Sequence, residues 1–328
     1  MAKYRAAIIG CGKIAGGYQA GRDDPSVLTH AKAYTVHEEV DLIAAADVNR
    51  DQLNRFCLDW QIEHAYGDAQ VMLKETRPDI VSICTPASTH PEILRQCLDS
   101  EHVKAVWCEK PIGGDYASVE RELLRKKKIF YVNHPRRWDG AVAQIRDMVW
   151  GSKLGELLTL TCNCSKGYIE SGTHVVDLVH YLLGTPRDFV VMNVSKDTAE
   201  GVPLYFDVFM KYDNGARVYL VFNRANYNIF EFDLFFTKGR VRSSDNGYNH
   251  TVFPVISSAM FPGHRWVSSE GSAIQSDLKS SMFRILSHIV ENLNAGTDGR
   301  ENRDYELMSY GLFCSILERA KESVKCLS

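Results

Sequence analysis

The sequence predicts an α/β protein in two parts: a doubly wound parallel sheet over residues 1–133, and an α+β segment with a large, mainly antiparallel sheet over residues 134–328. Three observations carry this expectation. Strand-like and helix-like stretches alternate through the first part at the spacing of crossover units, which require parallel strands. A short apolar run, Ala6-Ala7-Ile8-Ile9, enters the glycine turn Gly10-Cys11-Gly12-Lys13-Ile14-Ala15-Gly16. Beyond about Leu154 the apolar period falls to two, and hairpin turns such as Asp213-Asn214-Gly215 follow.

Ile8 and Ile9 are β-branched, and their run is short, as in a strand covered on both faces. Gly10 permits a tight turn, Gly12 lets a ligand approach the backbone, and Ala15 is small where a following helix packs on the strand. The free N–H groups of that helix are expected to meet a pyrophosphate, which makes Gly10, Gly12, Lys13 and Ile14 candidate contacts of a dinucleotide. The stretch from Gly16 to Thr29, rich in Gly, Asp and Pro, reads as an insertion beside that cleft. A helix over 31–37 and a strand over 41–46 lead to Asp47. An acid at the end of the second strand takes the adenosine ribose hydroxyls, usually about 20 residues beyond the glycines. The insertion accounts for the wider spacing here. Asp47 favours NAD, because a 2′-phosphate would meet its carboxylate, while Arg50 keeps NADP open.

The alternation continues with helices over 50–60 and 68–75, a strand over 79–84, a helix over 91–99, a strand over 104–108, a helix over 115–125 and a strand over 129–132. Ligands bind such sheets at the carboxyl ends of the strands. Gly10, Asp47, Thr85, Glu109 and Asn133 each follow a strand and therefore belong to one rim. Lys110 lies just past an apolar strand and is followed by Pro111. Partial desolvation there would lower its pKa and suit it to exchange a proton or bond a substrate hydroxyl.

These residues resemble the Gfo/Idh/MocA (glucose-fructose oxidoreductase / inositol dehydrogenase) family. The resemblance rests on the glycine turn, on Cys84-Thr85-Pro86 with His90, and on Glu109-Lys110-Pro111. It extends through Asn133-His134-Pro135-Arg136-Arg137-Trp138 and through Gly172-Thr173-His174-Val175-Val176-Asp177 followed by Tyr181-Leu182-Leu183-Gly184. It implies a Rossmann dinucleotide-binding domain and an NAD(P)-dependent oxidoreductase. Hydride would pass between nicotinamide and a secondary alcohol or ketone carbon of a sugar, cyclitol or nucleotide-sugar. Lys110 would contact the reacting hydroxyl, and His174, or alternatively Lys110, would carry its proton, with Arg137, Glu170 and Asp177 holding substrate. Thr85, Pro86, His90, Glu109, Lys110 and Asn133 would join the cofactor contacts. Glu170 stands where relatives often carry aspartate, and the loop before His30 is similar to that of relatives linked to surface-polysaccharide sugars. The same resemblance covers NAD-dependent glycoside hydrolases and non-catalytic dinucleotide sensors; the retained Lys110 and His174 argue against the sensor.

In the second part, a strand over 157–162 precedes a helix over 172–183, on which Val175, Leu178, Val179 and Leu182 share one apolar face. His174 and Asp177 are neighbours on that helix, so one can orient the other. His180 reads as a structural residue. Strands follow in which Leu204, Phe206, Val208 and Met210 alternate with Tyr205, Asp207, Phe209 and Lys211, and in which Phe230, Phe232, Leu234 and Phe236 share a face opposite Glu231 and Asp233. The second face is partly apolar and is expected to meet another subunit, giving a homodimer or homotetramer. Helices over 276–294 and 303–325 close the chain.

Composition agrees with a globular protein: 328 residues, 45% hydrophobic and 24% charged, allow about two domains. A net charge of −3 offers no basic field for nucleic acid, and Arg125-Lys126-Lys127-Lys128 reads as a solvated helix end. No apolar run is long enough to span a membrane, and a strand begins too early for a signal peptide. The nine cysteines follow no framework spacing and read as reduced thiols of a cytoplasmic protein. Cys162-Asn163-Cys164 has no second ligand pair nearby, so no metal site is expected.

Overall fold

The structure is a computed structural model; it describes residues 3–21, 23–195, 198–199, 202–203 and 205–325. The chain divides into two compact units. The first comprises residues 1–138 and 279–308, and the second residues 139–278 and 309–328. The division after residue 133 read from the sequence is thus displaced by five residues, and the first unit gains a segment from near the end of the chain. The cause is hydrophobic: Met282, Ile285, Leu286, Ile289 and Val290 belong to the same buried cluster as Ile8, Trp107 and Tyr131.

The first unit holds six parallel strands, β1 (Tyr4–Ile9), β2 (Val40–Ala46), β3 (His64–Tyr66), β4 (Ile80–Ile83), β5 (Ala105–Cys108) and β6 (Ile129–Val132). Their order is β3-β2-β1-β4-β5-β6, so the order reverses beside β1. Helices α1 (His30–Val36), α2 (Arg50–Trp60), α3 (Ala69–Thr76), α4 (His90–Asp99) and α5 (Tyr116–Lys126) make the crossovers. Every residue of β4, β5 and β6 is buried, as expected for a sheet covered on both faces. The short β3, polar and half-exposed, carried no apolar pattern by which to read it.

The glycine turn departs from expectation. It leads to a single π-type turn, Lys13–Gly17, not to a full helix. Two glycines in succession disfavour helix, and a Cβ on Gly16 would collide with Trp60 and Phe56. The stretch expected as an insertion is tied down by hydrogen bonds of Gln19. Buried Gln19 donates to Ser26 O (2.7 Å) and accepts from Leu28 N (2.8 Å) and Thr29 Oγ1 (3.2 Å). Thr29 in turn caps α1 by accepting from Lys32 N.

The second unit begins with α6 (Gly140–Trp150), capped by Asp139, then β7 (Leu157–Ser165) and α7 (Gly167–Leu183). The strands β8 (Asp188–Met192), β9 (Thr198–Ala199), β10 (Val202–Pro203), β11 (Asp207–Lys211), β12 (Arg217–Asn223), β13 (Phe230–Phe236), β14 (Gly239–Ser244), β15 (Asn249–Ser257), β16 (Arg265–Val267) and β17 (Ser272–Ile274) follow. Nine strands form one sheet in the order β16-β15-β14-β13-β7-β12-β11-β8, with β17 also on β15. It is antiparallel throughout except for the parallel pair β7 and β12. Leu204, read as part of a strand, lies outside the described residues.

Helix α7 starts five residues before the apolar pattern predicts. Its first turns carry Gly167 and Gly172, which disguise it, but Gly172 is needed: a Cβ there would sit 2.8 Å from Tyr168 Cδ2. Tyr168 is fully buried, stacks on Phe313 at 4.9 Å and donates to Phe313 O (3.0 Å). Alternate residues of β12 and β13 point into this core, leaving Tyr219, Asp233 and Phe235 half-buried on the other face. Helix α8 (Ser281–Asn294) belongs to the first unit, and α9 (Arg300–Lys325) passes from the first to the second.

Candidate active site

The carboxyl ends of the strands flanking the order reversal open onto a cleft of about 850 Å³, lined among others by Gly10, Gly12, Asp47, Gln52, Thr85 and Pro86. Its volume suits part of a dinucleotide. The two glycines meet different demands. Gly10 has φ +90°, and a Cβ would lie 2.7 Å from Cys84 C and Thr85 N, so the fold itself requires glycine. Gly12 has φ −77°, and its Cβ would meet nothing nearer than Gln52 Nε2 at 4.0 Å. Among the described residues, none excludes a side chain there. The open space over Gly12 fits a phosphate lying against bare backbone.

Asp47 is less free than the sequence suggests. Its Oδ2 accepts from Cys11 N (2.7 Å) and Gln52 Nε2 (3.0 Å), and Oδ1 accepts from Asn49 N (2.8 Å). The carboxylate therefore ties β2 to the glycine turn while it faces the cleft. Gln52, which no motif flagged, completes this arrangement from the first turn of α2. Arg50 is exposed at the start of α2 and does not line the cleft. Lys13 is exposed, and Ile14 is half-buried against the core cluster.

His90, expected to touch cofactor, is instead a buried brace. Its ring nitrogens lie 2.7 Å from Thr85 O and 2.8 Å from Pro111 O, which joins the loop after β4 to the loop after β5. Arg137, expected to hold substrate, is also buried and is paired with Glu306 of α9, its guanidinium 4.3 Å from the ring of Tyr305. Glu306 also accepts from Val132 N (3.1 Å). Such a buried ion pair answers each partner's desolvation cost, which explains why an arginine in an otherwise promising motif stays inside.

Glu109 and Lys110 leave β5 on the same rim as the glycine turn. Lys110 is half-buried and Glu109 buried. Glu109 Oε1 lies 3.1 Å from His30 Nε2 and 2.5 Å from Asn133 Nδ2, while Oε2 accepts from Lys110 N (3.3 Å). Burial pushes the Glu109 carboxyl up, but hydrogen bonds and charge from His30, the bond from Asn133 and the charge of Lys110 outweigh it and hold the group below its ordinary value. Burial pushes the neighbouring thiols of Cys84 and Cys108 well up, so both stay protonated.

In the second unit, Glu170, His174 and Asp177 follow one another at i, i+4 and i+7 along α7 and share a face. Exposure falls along this row: Glu170 is exposed and paired with Lys166 (3.2 Å), His174 is half-buried, and Asp177 is buried. His180, three residues further along the helix, is buried as well. The thiols of Cys162 and Cys164 lie 3.6 Å apart on the buried face of β7.

A family model described as an oxidoreductase family with an NAD-binding Rossmann fold matches residues 4–134, and a GFO/IDH/MocA C-terminal domain model matches residues 168–242. The chain is 24% identical over 274 residues to myo-inositol 2-dehydrogenase of Thermotoga maritima, covering 76% of this chain and 77% of that protein. Among solved structures it resembles myo-inositol 2-dehydrogenase from Lactobacillus plantarum, with a TM-score of 0.74, 18% identity and 98% of each chain covered. It also resembles an oxidoreductase from Agrobacterium radiobacter solved with NAD+, L-tartaric acid and magnesium, with a TM-score of 0.76, 17% identity, and 99% of this chain and 100% of that one covered. Together the two models match more than half of the chain, which belongs to the Gfo/Idh/MocA family of NAD(P)-dependent oxidoreductases.

Proposed function

We propose that the protein is an NAD-dependent dehydrogenase that interconverts a secondary alcohol and a ketone on a cyclitol, a sugar or a nucleotide-sugar. The carrying observation is the placement of Glu109 and Lys110 on the strand rim that also bears Gly12 and Asp47. The relatives named as inositol dehydrogenases support the substrate class. When bound, the nicotinamide supplies a hydride acceptor. Lys110 donates a charged hydrogen bond to the alcohol oxygen and stabilises alkoxide character as it develops. His174 takes the alcohol proton during oxidation and returns it during reduction, which avoids a cationic intermediate. Asp177 orients His174 from the next turn of α7, and Glu170 contacts an outlying hydroxyl. Asp47 at the ribose selects NAD over NADP.

The test is a panel of inositols, free sugars, glucosides and nucleotide-sugars, each with NAD+ and NADP+, followed at the absorbance of reduced nicotinamide. Net reduction with a cyclitol or sugar is expected, faster with NAD+. Glycoside cleavage without net reduction would replace this reading with a hydrolase, and binding without turnover would replace it with a sensor. With the substrate found, Lys110→Ala and His174→Ala should each lower kcat at least about a hundredfold; near-native turnover in either removes that residue's role. The half-buried Phe209, Tyr219 and Phe235 on the sheet face away from the core support self-association through that face.

A further inference from the structure

We propose that His30 is a positioning residue of this enzyme, which holds the Glu109 carboxylate in place at the root of Lys110 through a buried chain of hydrogen bonds that begins at Tyr34. The proposal rests on the reading of Glu109 and Lys110 as cofactor and substrate residues.

His30 is the first residue of α1, and it is fully buried. Its ring packs 4.0 Å from the ring of Trp107, and both its nitrogens are engaged. Nε2 lies 3.1 Å from Glu109 Oε1, and Nδ1 lies 2.8 Å from Ser82 Oγ. Ser82 Oγ lies 2.7 Å from Tyr34 OH.

The directions of these bonds follow from one end. An ionised carboxylate only accepts, so His30 Nε2–H donates to Glu109. With Nε2 donating, Nδ1 meets the Ser82 hydroxyl, and Ser82 Oγ in turn accepts from Tyr34. Burial pushes the Tyr34 hydroxyl far up, so it stays protonated and serves as the terminal donor. Every polar atom along this line is used, as a fully connected buried network requires.

The same geometry excludes a proton exit. The chain ends at Tyr34, which is fully buried, so it delivers no proton to solvent. What it does deliver is a fixed donor to Glu109 Oε1. Asn133 Nδ2 occupies the second position on that oxygen, which leaves Oε2, the atom that also accepts from Lys110 N–H, as the oxygen available to a ligand on the rim. The charged and titratable groups facing Glu109 are His30 from α1, Lys110 beside it, Cys84 after β4 and Cys108 of β5. The two thiols and Tyr34 remain neutral, so removing His30 takes away a donor that opposes the burial of Glu109 and leaves that to Asn133 and Lys110. The carboxyl should then pick up a proton at higher pH than in the native protein.

The test is NADH binding by the full-length protein, followed by nucleotide fluorescence from pH 8 to pH 5.5, alongside Tm. In the native protein the Kd should be nearly flat across this range. His30→Ala should bind comparably at pH 8 but weaken at least tenfold by pH 5.5, and His30→Gln, whose amide can still donate, should recover most of the loss. Glu109→Gln should weaken binding at every pH, with no pH dependence. A flat profile in His30→Ala, or a uniform loss that His30→Gln does not rescue, overturns the proposal. Native binding by Glu109→Gln would overturn the underlying assignment of Glu109 instead, and so the two failures are told apart. If His30→Ala does not fold, Ser82→Ala carries the test: it frees the ring to lose its donor geometry and should produce a shift of at least threefold between the same pH values, whereas a native profile overturns the proposal.

Discussion

Gly10 and Gly12 stand two residues apart and answer to different masters. Gly10 is held at φ +90° against the backbone of Cys84 and Thr85. Gly10→Ala is expected to cost about 1–3 kcal/mol from the backbone alone, with more from the collision, read as a drop in Tm without any ligand. Gly12→Ala should leave Tm within about two degrees and raise the NAD+ Kd at least tenfold by calorimetry, because its Cβ enters only the space over the turn. Equal effects on stability would overturn the distinction. A pattern of glycines shows that both are needed but not what for; that depends on neighbours brought up by β4. Polar braces are harder to foresee. His90 and Arg137 sit in motif positions that suggest ligand contact, yet each is buried against a partner from elsewhere in the first unit. The sequence does not show that backbone carbonyls, Thr85 O and Pro111 O, and a distant Glu306 are the partners.

At the scale of elements, long apolar runs were legible and short or glycine-containing ones were not. The buried strands β1, β4, β5 and β6 and the helices between them follow the pattern within a few residues. The helix expected after the glycine turn shrinks to one π-type turn, because Gly16 and Gly17 weaken it and Trp60 closes over it. Helix α6 goes unmarked by motif, but its start is strongly fixed. Asp139 accepts from Ala141 N (2.9 Å), Asp277 N (3.1 Å) and Ser276 Oγ (2.7 Å), and His250 Nε2 lies 3.5 Å away. Burial pushes this carboxyl up, but His250, Ser276 and the Ala141 N–H bond hold it below the ordinary aspartate range. Asp139→Ala should therefore cost at least about 2 kcal/mol at pH 7, from the lost cap and two orphaned donors, measured by urea unfolding. The sign of its pH dependence follows: a depressed carboxyl stabilises above its unfolded pKa of about 3.9, and that contribution fades as pH falls through its lower folded value. The gap between native and variant protein should narrow from about pH 5 to pH 3; a gap that widens contradicts the assignment.

At the scale of the whole molecule, the alternation of strands and helices announced the first sheet, and period-two patterns announced the second. The order of nine strands, with β7 and β12 parallel amid antiparallel neighbours, was not legible, since no local pattern specifies which distant strand lies alongside. Nor was the return of residues 279–308 to the first unit, since an amphipathic helix shows that it has an apolar face and not where that face goes. Self-association is read by size-exclusion chromatography with light scattering. Phe235→Asp on the half-buried face of β13 should shift the protein toward monomer with little change in Tm, and an unchanged mass would remove that face from the interface.

The late segment also sets a schedule. Val27 N donates to Lys279 O (2.7 Å), and five side chains of α8 complete the cluster around Ile8 and Trp107. A nascent chain that has just cleared residue 138 has every strand of the parallel sheet but lacks one wall of its core, and it must wait for some 170 further residues before that wall arrives. At a synthesis rate of about 5–20 residues per second, this is an interval of roughly 10–30 seconds during which apolar surface stays open on the ribosome. A fragment ending at residue 138 should accordingly be cut rapidly by protease, and a supplied peptide of residues 279–308 should protect it.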